Sequence, residues 1–197
     1  YDIDITKQLY YEKYLGFSDK DCVAEFNKDF GMGLDEIGRQ KIIDEKGVLF
    51  NDLAEKENTI IDGVAEFLQL LDDNSIRKAI CSGALLDEIE VALKPSGFRN
   101  AFENIVAADH VEKGKPDPEG YLLALKNLNN INADSIVPSE CIVIEDSFWG
   151  LEAAEKAGMH RVAVTNTYSA DQLKPYSEKV VEKLTDLNIR GLENLCL

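Results

Sequence analysis

Residues 141–150, which read Cys-Ile-Val-Ile-Glu-Asp-Ser-Phe-Trp-Gly, constrain the fold more than any other stretch of the chain. The apolar run is too short for a helix and is bounded by acids, so it reads as a strand buried in a parallel sheet. Glu145 and Asp146 stand at its carboxyl end, and Ser147 has the side chain to cap a helix that opens at Phe148. Ligands of open α/β sheets sit outside the carboxyl ends of the strands. Two adjacent carboxylates in that position offer the hard oxygen donors that Mg²⁺ takes. Acids at a helix start also complement the helix dipole without any metal, so the pair alone does not make a site.

The rest of the chain falls into two kinds of pattern. Residues 1–58 read as helical throughout. Thr6 is placed to cap a first segment with Leu9, Tyr10 and Tyr14 on its inner face, stopped by Gly16. Ser18 starts a second, in which Val23, Phe26 and Phe30 share a face. A third runs from Leu34 to about Leu53, its inner face drawn through Leu34, Ile37, Ile42, Leu49 and Leu53, with Gly38 and Gly47 weakening its continuity. The early tyrosines read as packing between these helices. From Asn58 onward short apolar strands, near residues 79–81, 105–108, 141–144, 161–164 and 180–181, alternate with helices. Those helices carry stripes such as Val64, Phe67, Leu68 and Leu71, or Leu122, Leu125 and Leu128. Such alternation means right-handed βαβ units and a parallel sheet. The expected architecture is α/β, a helical domain over residues 1–58 followed by a parallel-sheet core over residues 59–197.

Charge and cysteines narrow the partners. A formal net charge of −16 sets most of the surface against nucleic acid and anionic membranes. A phosphorylated ligand would need local basic residues to overcome that background. Cys22, Cys81, Cys141 and Cys196 are widely spaced and form no metal or redox motif. Cys81 and Cys141 fall at strand positions read as buried, and a reduced, cytoplasmic setting fits. No basic-then-apolar stretch and no apolar run of membrane-spanning length is read, so neither a leader nor a spanning segment is expected.

Two further loops could join the acidic pair. Ser82-Gly83-Ala84 lies between a strand and a helix, where a hydroxyl and outward-pointing amides suit a phosphate and glycine allows close approach. A plain turn with a serine cap has the same appearance. Lys115 stands in Gly-Lys-Pro-Asp-Pro, a loop that two prolines stiffen around a single ammonium; Asp117 and Pro118 then open a helix. Lys46, on the third helical segment, reads as a surface lysine or as a contact to the far end of a substrate. His110 and His160 match no ligand pattern and read as solvated or supporting groups. Trp149 reads as a helix-packing residue.

The order strand-Ser82-Gly83-Ala84, then Gly114-Lys115-Pro116-Asp117-Pro118, then strand-Glu145-Asp146-Ser147 resembles the haloacid dehalogenase-like superfamily, nearest to its phosphatase and β-phosphoglucomutase subgroup. The resemblance covers essentially the whole chain: residues 1–58 as the subgroup's helical cap, the remainder as its Rossmann-like core. It implies that Ser82 and the Gly83 amide hold a transferring phosphoryl group, that Lys115 bridges nucleophile and phosphate, and that Glu145 and Asp146 ligate Mg²⁺ directly or through water. The implied activity is Mg²⁺-dependent hydrolysis of a small phosphorylated metabolite such as a sugar phosphate. A β-phosphoglucomutase-type phosphomutase and a non-catalytic relative that binds phosphometabolites are the alternatives.

The same resemblance implies a nucleophilic aspartate, the first of an Asp-x-Asp motif at the end of the first core strand. Asp2 and Asp4 imitate that motif, yet no apolar strand precedes Asp2 and Ile5 stands where glycine is usual. The expectation is therefore that the first core strand and its nucleophile precede Tyr1. The chain as given is then expected to lack phosphatase activity, and a sheet position would be left unpaired.

Overall fold

The change of apolar period near residue 58 separates two groups of elements. The computed structural model describes residues 3–54, 60–133 and 135–197. Asp2 and the expected domain boundary at Asn58 lie outside the described residues. Helical elements come first: α1 (Lys7–Leu9), running on into a wider turn over Tyr10–Tyr14, then α2 (Asp19–Asp29) and α3 (Glu36–Ala54). Thr6 and Ser18 cap α1 and α2, accepting from Leu9 N and Asp21 N, each at 3.2 Å.

Two inner faces differ from the sequence expectation. Leu15 N reaches back to Tyr10 O at 3.0 Å, closing a five-residue turn. That wider turn changes the phase of the first segment, so Tyr14 is buried while Tyr10 faces outward. On α3 the inward positions are Ile43, Phe50 and Ala54, whereas Ile37, Leu49 and Leu53 are exposed. Packing against α2 and against a core helix rotates α3 by about one residue from the stripe its larger side chains draw. Gly38 and Gly47 sit within an unbroken helix.

The second group is α4 (Val64–Asp73), β1 (Ala79–Cys81), α5 (Leu86–Leu93), β2 (Asn104–Val106), α6 (Glu119–Asn132), β3 (Ile142–Glu145), α7 (Phe148–Lys156), β4 (His160–Val164), α8 (Ala170–Leu173), β5 (Lys179–Val181) and α9 (Ile189–Glu193). All the pairings among the described residues are parallel. β1 pairs with β2, Ile80 opposite Ile105, and β4 lies between β3 and β5, with Val143 opposite Arg161 and Ala163 opposite Val180. Each strand follows a helix and feeds another, as the alternation requires. β1 and β3 do not pair, so the described strands form sheets of two and three. They share one apolar layer nevertheless, because Tyr121 and Leu125 of α6 pack with Val143, and Cys81 packs on the same cluster. A second cluster joins Phe67 and Leu71 of α4 to Val162, Val164 and Val181.

Smaller corrections follow from the same packing. On α6 the buried positions are Tyr121, Ala124 and Leu125, and Leu122 is exposed. Cys81 and Cys141 are half-buried rather than buried, Cys22 is buried, and all four thiols are unpaired. No helix among the described residues is long and apolar enough to cross a membrane.

Candidate active site

The carboxyl ends of β1 and β3 come together through one side chain. Lys115, on the loop before α6 and next to a cis Lys115–Pro116 bond, donates to Cys81 O at 3.2 Å and forms an ion pair with Glu145 Oε1. Its ammonium also lies 5.2 Å from the centre of the Tyr121 ring. Burial works against that charge, but Glu145, Tyr121 and Cys81 around it hold the lysine well above its ordinary value. Lys115 is therefore charged at any physiological pH.

Glu145 ends β3 with its side chain turned inward. Its Oε2 accepts from Asp146 N at 2.8 Å and from Ser147 N and Ser147 Oγ, each at 3.0 Å. Burial raises its pKa, yet Lys115 and these donors outweigh burial and leave the carboxyl below the usual range. Both oxygens are thus engaged by protein, and Glu145 acts as an anchor for the lysine and the turn. Gly150, in the first turn of α7, makes room for it, since a Cβ there would overlap the Glu145 carboxyl group. Ser147 caps α7, accepting from Gly150 N at 3.1 Å.

Asp146 is the less satisfied acid. Thr167 Oγ1 donates to its Oδ2 at 2.5 Å, and its Oδ1 accepts no hydrogen bond among the described residues. Burial and then the neighbouring Glu145 charge push its pKa up, against the pull of Thr167. An ionised carboxylate short of counter-charge fits a hard cation, which would hold it deprotonated. Among the described residues no group of three or more His, Cys, Asp or Glu gathers around it. This donor set matches Mg²⁺, which keeps waters and is commonly held by one or two carboxylates together with substrate phosphate.

Ser82 follows directly on Cys81. Its N–H continues the β1–β2 ladder to Val106 O at 2.9 Å, and its Oγ accepts from Ala84 N at 3.1 Å. The Gly83 N–H makes no hydrogen bond with the described residues, and nothing lies within 4 Å of where its Cβ would stand. A hydroxyl and a free amide therefore sit one residue from the carbonyl that Lys115 touches. Of the residues read from separate stretches, Lys115 therefore links the carbonyl before Ser82 and Gly83 to Glu145, the neighbour of Asp146. Thr167 and Tyr168 were not singled out in the sequence, although they follow β4 at the same sheet end, the one signal that marked them. Lys46 is not a free surface lysine: it binds Asp19 and Glu88. His110 Nδ1 accepts from Ala107 N and His160 meets Glu178. An apolar pocket of about 620 Å³ opens elsewhere, among Ile3, Val23, Phe26, Phe30, Met32 and Ile42.

Two contacts tie the helical elements to the second group. The Tyr168 hydroxyl donates to Tyr11 O at 3.0 Å, and Gly16 packs directly against the Trp149 ring. Trp149 is thus a packing residue between the two groups of elements.

A phosphorylated carbohydrates phosphatase of Thermotoga maritima is 36% identical over 124 residues, 63% of this chain and 53% of that protein. A validoxylamine A 7'-phosphate phosphatase of Streptomyces hygroscopicus subsp. limoneus is 33% identical over 127 residues, 64% of this chain and 56% of that protein. The chain spans about half the length of these curated relatives. A β-phosphoglucomutase structure from Clostridium difficile superposes with a TM-score of 0.84 at 26% identity, covering 99% of this chain and 83% of that one. The family model of haloacid dehalogenase-like hydrolases matches residues 5–158, and the chain belongs to that family.

Proposed function

We propose that this chain serves Mg²⁺-dependent hydrolysis of small phosphate monoesters, sugar phosphates foremost, in a reducing cytoplasmic setting that suits four unpaired thiols. The carrying observation is the Lys115 ammonium, which touches Cys81 O beside Ser82 and Glu145 beside Asp146. Ser82 Oγ and the Gly83 N–H bind the phosphoryl oxygens, and Lys115 offsets their charge. Glu145 fixes the lysine and the Asp146–Ser147 backbone. Asp146 holds Mg²⁺, which when bound acts as a Lewis acid toward the phosphoryl group. The named relatives, phosphatases of a phosphorylated carbohydrate and of validoxylamine A 7'-phosphate, support the substrate class.

Neither acid of the pair is the nucleophile in this reading, because Glu145 is engaged at both oxygens and Asp146 is committed to the metal. The attacking aspartate lies on a strand preceding residue 1, inserted between β1 and β3, whose carboxyl ends adjoin without pairing. Its oxygen displaces the ester oxygen from phosphorus to give an aspartyl-phosphate, the leaving alkoxide takes a proton from an acid on the same Asp-x-Asp segment, and water, giving its proton back to that acid, then cleaves the acyl phosphate to free aspartate and inorganic phosphate. Residues 1–58 form the cap and residues 59–197 the catalytic core. The structural match to a β-phosphoglucomutase keeps phosphomutase activity as the second reading.

The test is phosphate release from a panel of sugar phosphates, with Mg²⁺ or EDTA, by this chain and by a version extended with an Asp-x-Asp strand. The extended protein is expected to release phosphate only with Mg²⁺, and the 197-residue chain to bind phosphate without turnover. Turnover by the shorter chain that Asp2→Asn abolishes would overturn the nucleophile assignment. Conversion to an isomeric sugar phosphate without free phosphate would favour the mutase, and binding without turnover by the extended protein a non-catalytic role.

A further inference from the structure

Among the described residues Thr167 is the side chain that donates to Asp146, its Oγ1 reaching Oδ2 at 2.5 Å. An ionised carboxylate only accepts, so the hydroxyl spends its single proton there. The segment that carries Thr167 is fixed on both sides. Upstream, Thr165 N donates to Val181 O at 3.1 Å and extends the β4–β5 ladder. Downstream, the Tyr168 ring stacks on Phe148 with ring centres 4.2 Å apart, and its hydroxyl donates to Tyr11 O at 3.0 Å. Ser169 N then meets Gln172 Oε1 at 3.1 Å where α8 begins, and α8 ends on the fully buried Leu173. Phe148 opens α7 just after Asp146 and Ser147, so the hydrogen bond and the ring contact tie the same two loops together. Thr167 adds its own stiffness, because a β-branched side chain has few rotamers. Its short, charge-assisted bond therefore holds the Asp146 carboxylate in one orientation, with Oδ2 covered and Oδ1 open.

We propose that Thr167 is a positioning residue that makes Asp146 a one-oxygen ligand and so sets the site's preference between Mg²⁺ and Ca²⁺. The inference rests on the Mg²⁺ reading above and adds the selection of the ion. Mg²⁺ is small, keeps several waters and demands near-octahedral geometry, so a carboxylate serves it well through one oxygen. Ca²⁺ is larger, gathers more oxygens in a flexible geometry and takes carboxylates through both. With Thr167 on Oδ2, Asp146 has only Oδ1 to give. A Ca²⁺ that took both oxygens would have to break a charge-assisted hydrogen bond. That cost falls on Ca²⁺ and not on Mg²⁺, and a difference of this kind is what tells apart two ions of equal charge. Glu145 does not supply the missing oxygen, since Lys115 holds its Oε1 and the Asp146–Ser147 turn its Oε2. Thr167 itself touches neither the ion nor the phosphoryl group and acts only through the acid.

The experiment is displacement of Mn²⁺ from the chain by Mg²⁺ or by Ca²⁺, followed through water-proton relaxation in about 0.1 M KCl, which screens the acidic surface. Asp146→Asn supplies the background, and only the binding that it removes is scored. Thr167→Val keeps the shape of the side chain and loses the hydroxyl, whereas Thr167→Ser keeps the hydroxyl. Thr167→Val is expected to lower the ratio of Mg²⁺ to Ca²⁺ affinity at least about threefold, and Thr167→Ser to hold it within about twofold of the unaltered chain. A merely structural role for Thr167 would weaken both ions together, or lower the urea midpoint, and leave the ratio where it was. An unmoved or rising ratio in Thr167→Val overturns the inference, as does a Thr167→Ser chain that follows Thr167→Val. If Asp146→Asn removes no Mn²⁺ binding, the Mg²⁺ reading falls and this one with it; if it does and the ratio ignores Thr167, this one falls alone.

Discussion

Lys115 and Glu145 are each held by the other inside the protein, which makes them costly to change singly. Lys115→Met leaves a buried carboxylate without its counter-charge and is expected to lower stability by about 3–5 kcal/mol, read from urea denaturation. Lys115→Met combined with Glu145→Gln is expected to recover part of that loss. Asp146 behaves in the opposite sense. Its folded pKa is raised by burial and by Glu145, so ionising it costs stability at neutral pH, and the cost disappears as the pH falls through the raised value. Asp146→Asn is therefore expected to raise the urea midpoint at pH 7 in the absence of Mg²⁺. Its advantage should shrink as the pH falls toward the ordinary aspartate value of 3.8. A midpoint that drops at pH 7 would contradict this account of Asp146. An acid that is destabilising in the empty site is what a metal-binding position should be.

At the scale of elements, the turn from β3 into α7 sets the spacing of the whole site. Gly150→Ala drives a methyl group into the Glu145 carboxyl and is expected to cost about 1–3 kcal/mol and to weaken phosphate binding with it; unchanged stability by thermal melting would contradict the packing. This turn was legible in the sequence because an apolar run, two acids and a capping serine each demand the same local structure. The β1–Ser82 turn was legible for the same reason, and so was the α4 stripe Phe67, Leu68 and Leu71. The inner face of α3 was not. Its large apolar residues occupy two adjoining faces, and the choice between them is made by contacts with α2 and α5 that no local pattern carries. Tyr10 was misplaced because a five-residue turn leaves no mark in apolar spacing. Thr167 lacked any signal beyond following a strand, since a hydroxyl becomes part of a site only through the carboxylate it meets.

The molecule as a whole sets a strongly acidic surface, with a formal net charge of −16, around one buried ammonium where a phosphate is proposed to bind. That arrangement makes phosphate binding depend on cations placed at the site rather than on long-range attraction. The candidate residues could be named from the sequence because they end three separate strands or loops. It did not carry the contacts that seat the helical elements on the core, from Tyr11 to Tyr168, Gly16 to Trp149 and Lys46 to Glu88. Those depend on how two groups of elements face each other. The claim beneath all of this is that Ser82, Lys115 and Asp146 serve one Mg²⁺-assisted phosphate site. Calorimetric titration of inorganic phosphate, with Mg²⁺ and with EDTA, into the unaltered chain, Lys115→Met and Asp146→Asn tests it most directly. Phosphate should bind with Mg²⁺ and weaken at least about tenfold under EDTA and in either variant. Equal affinity with and without Mg²⁺, or in either variant, would contradict it.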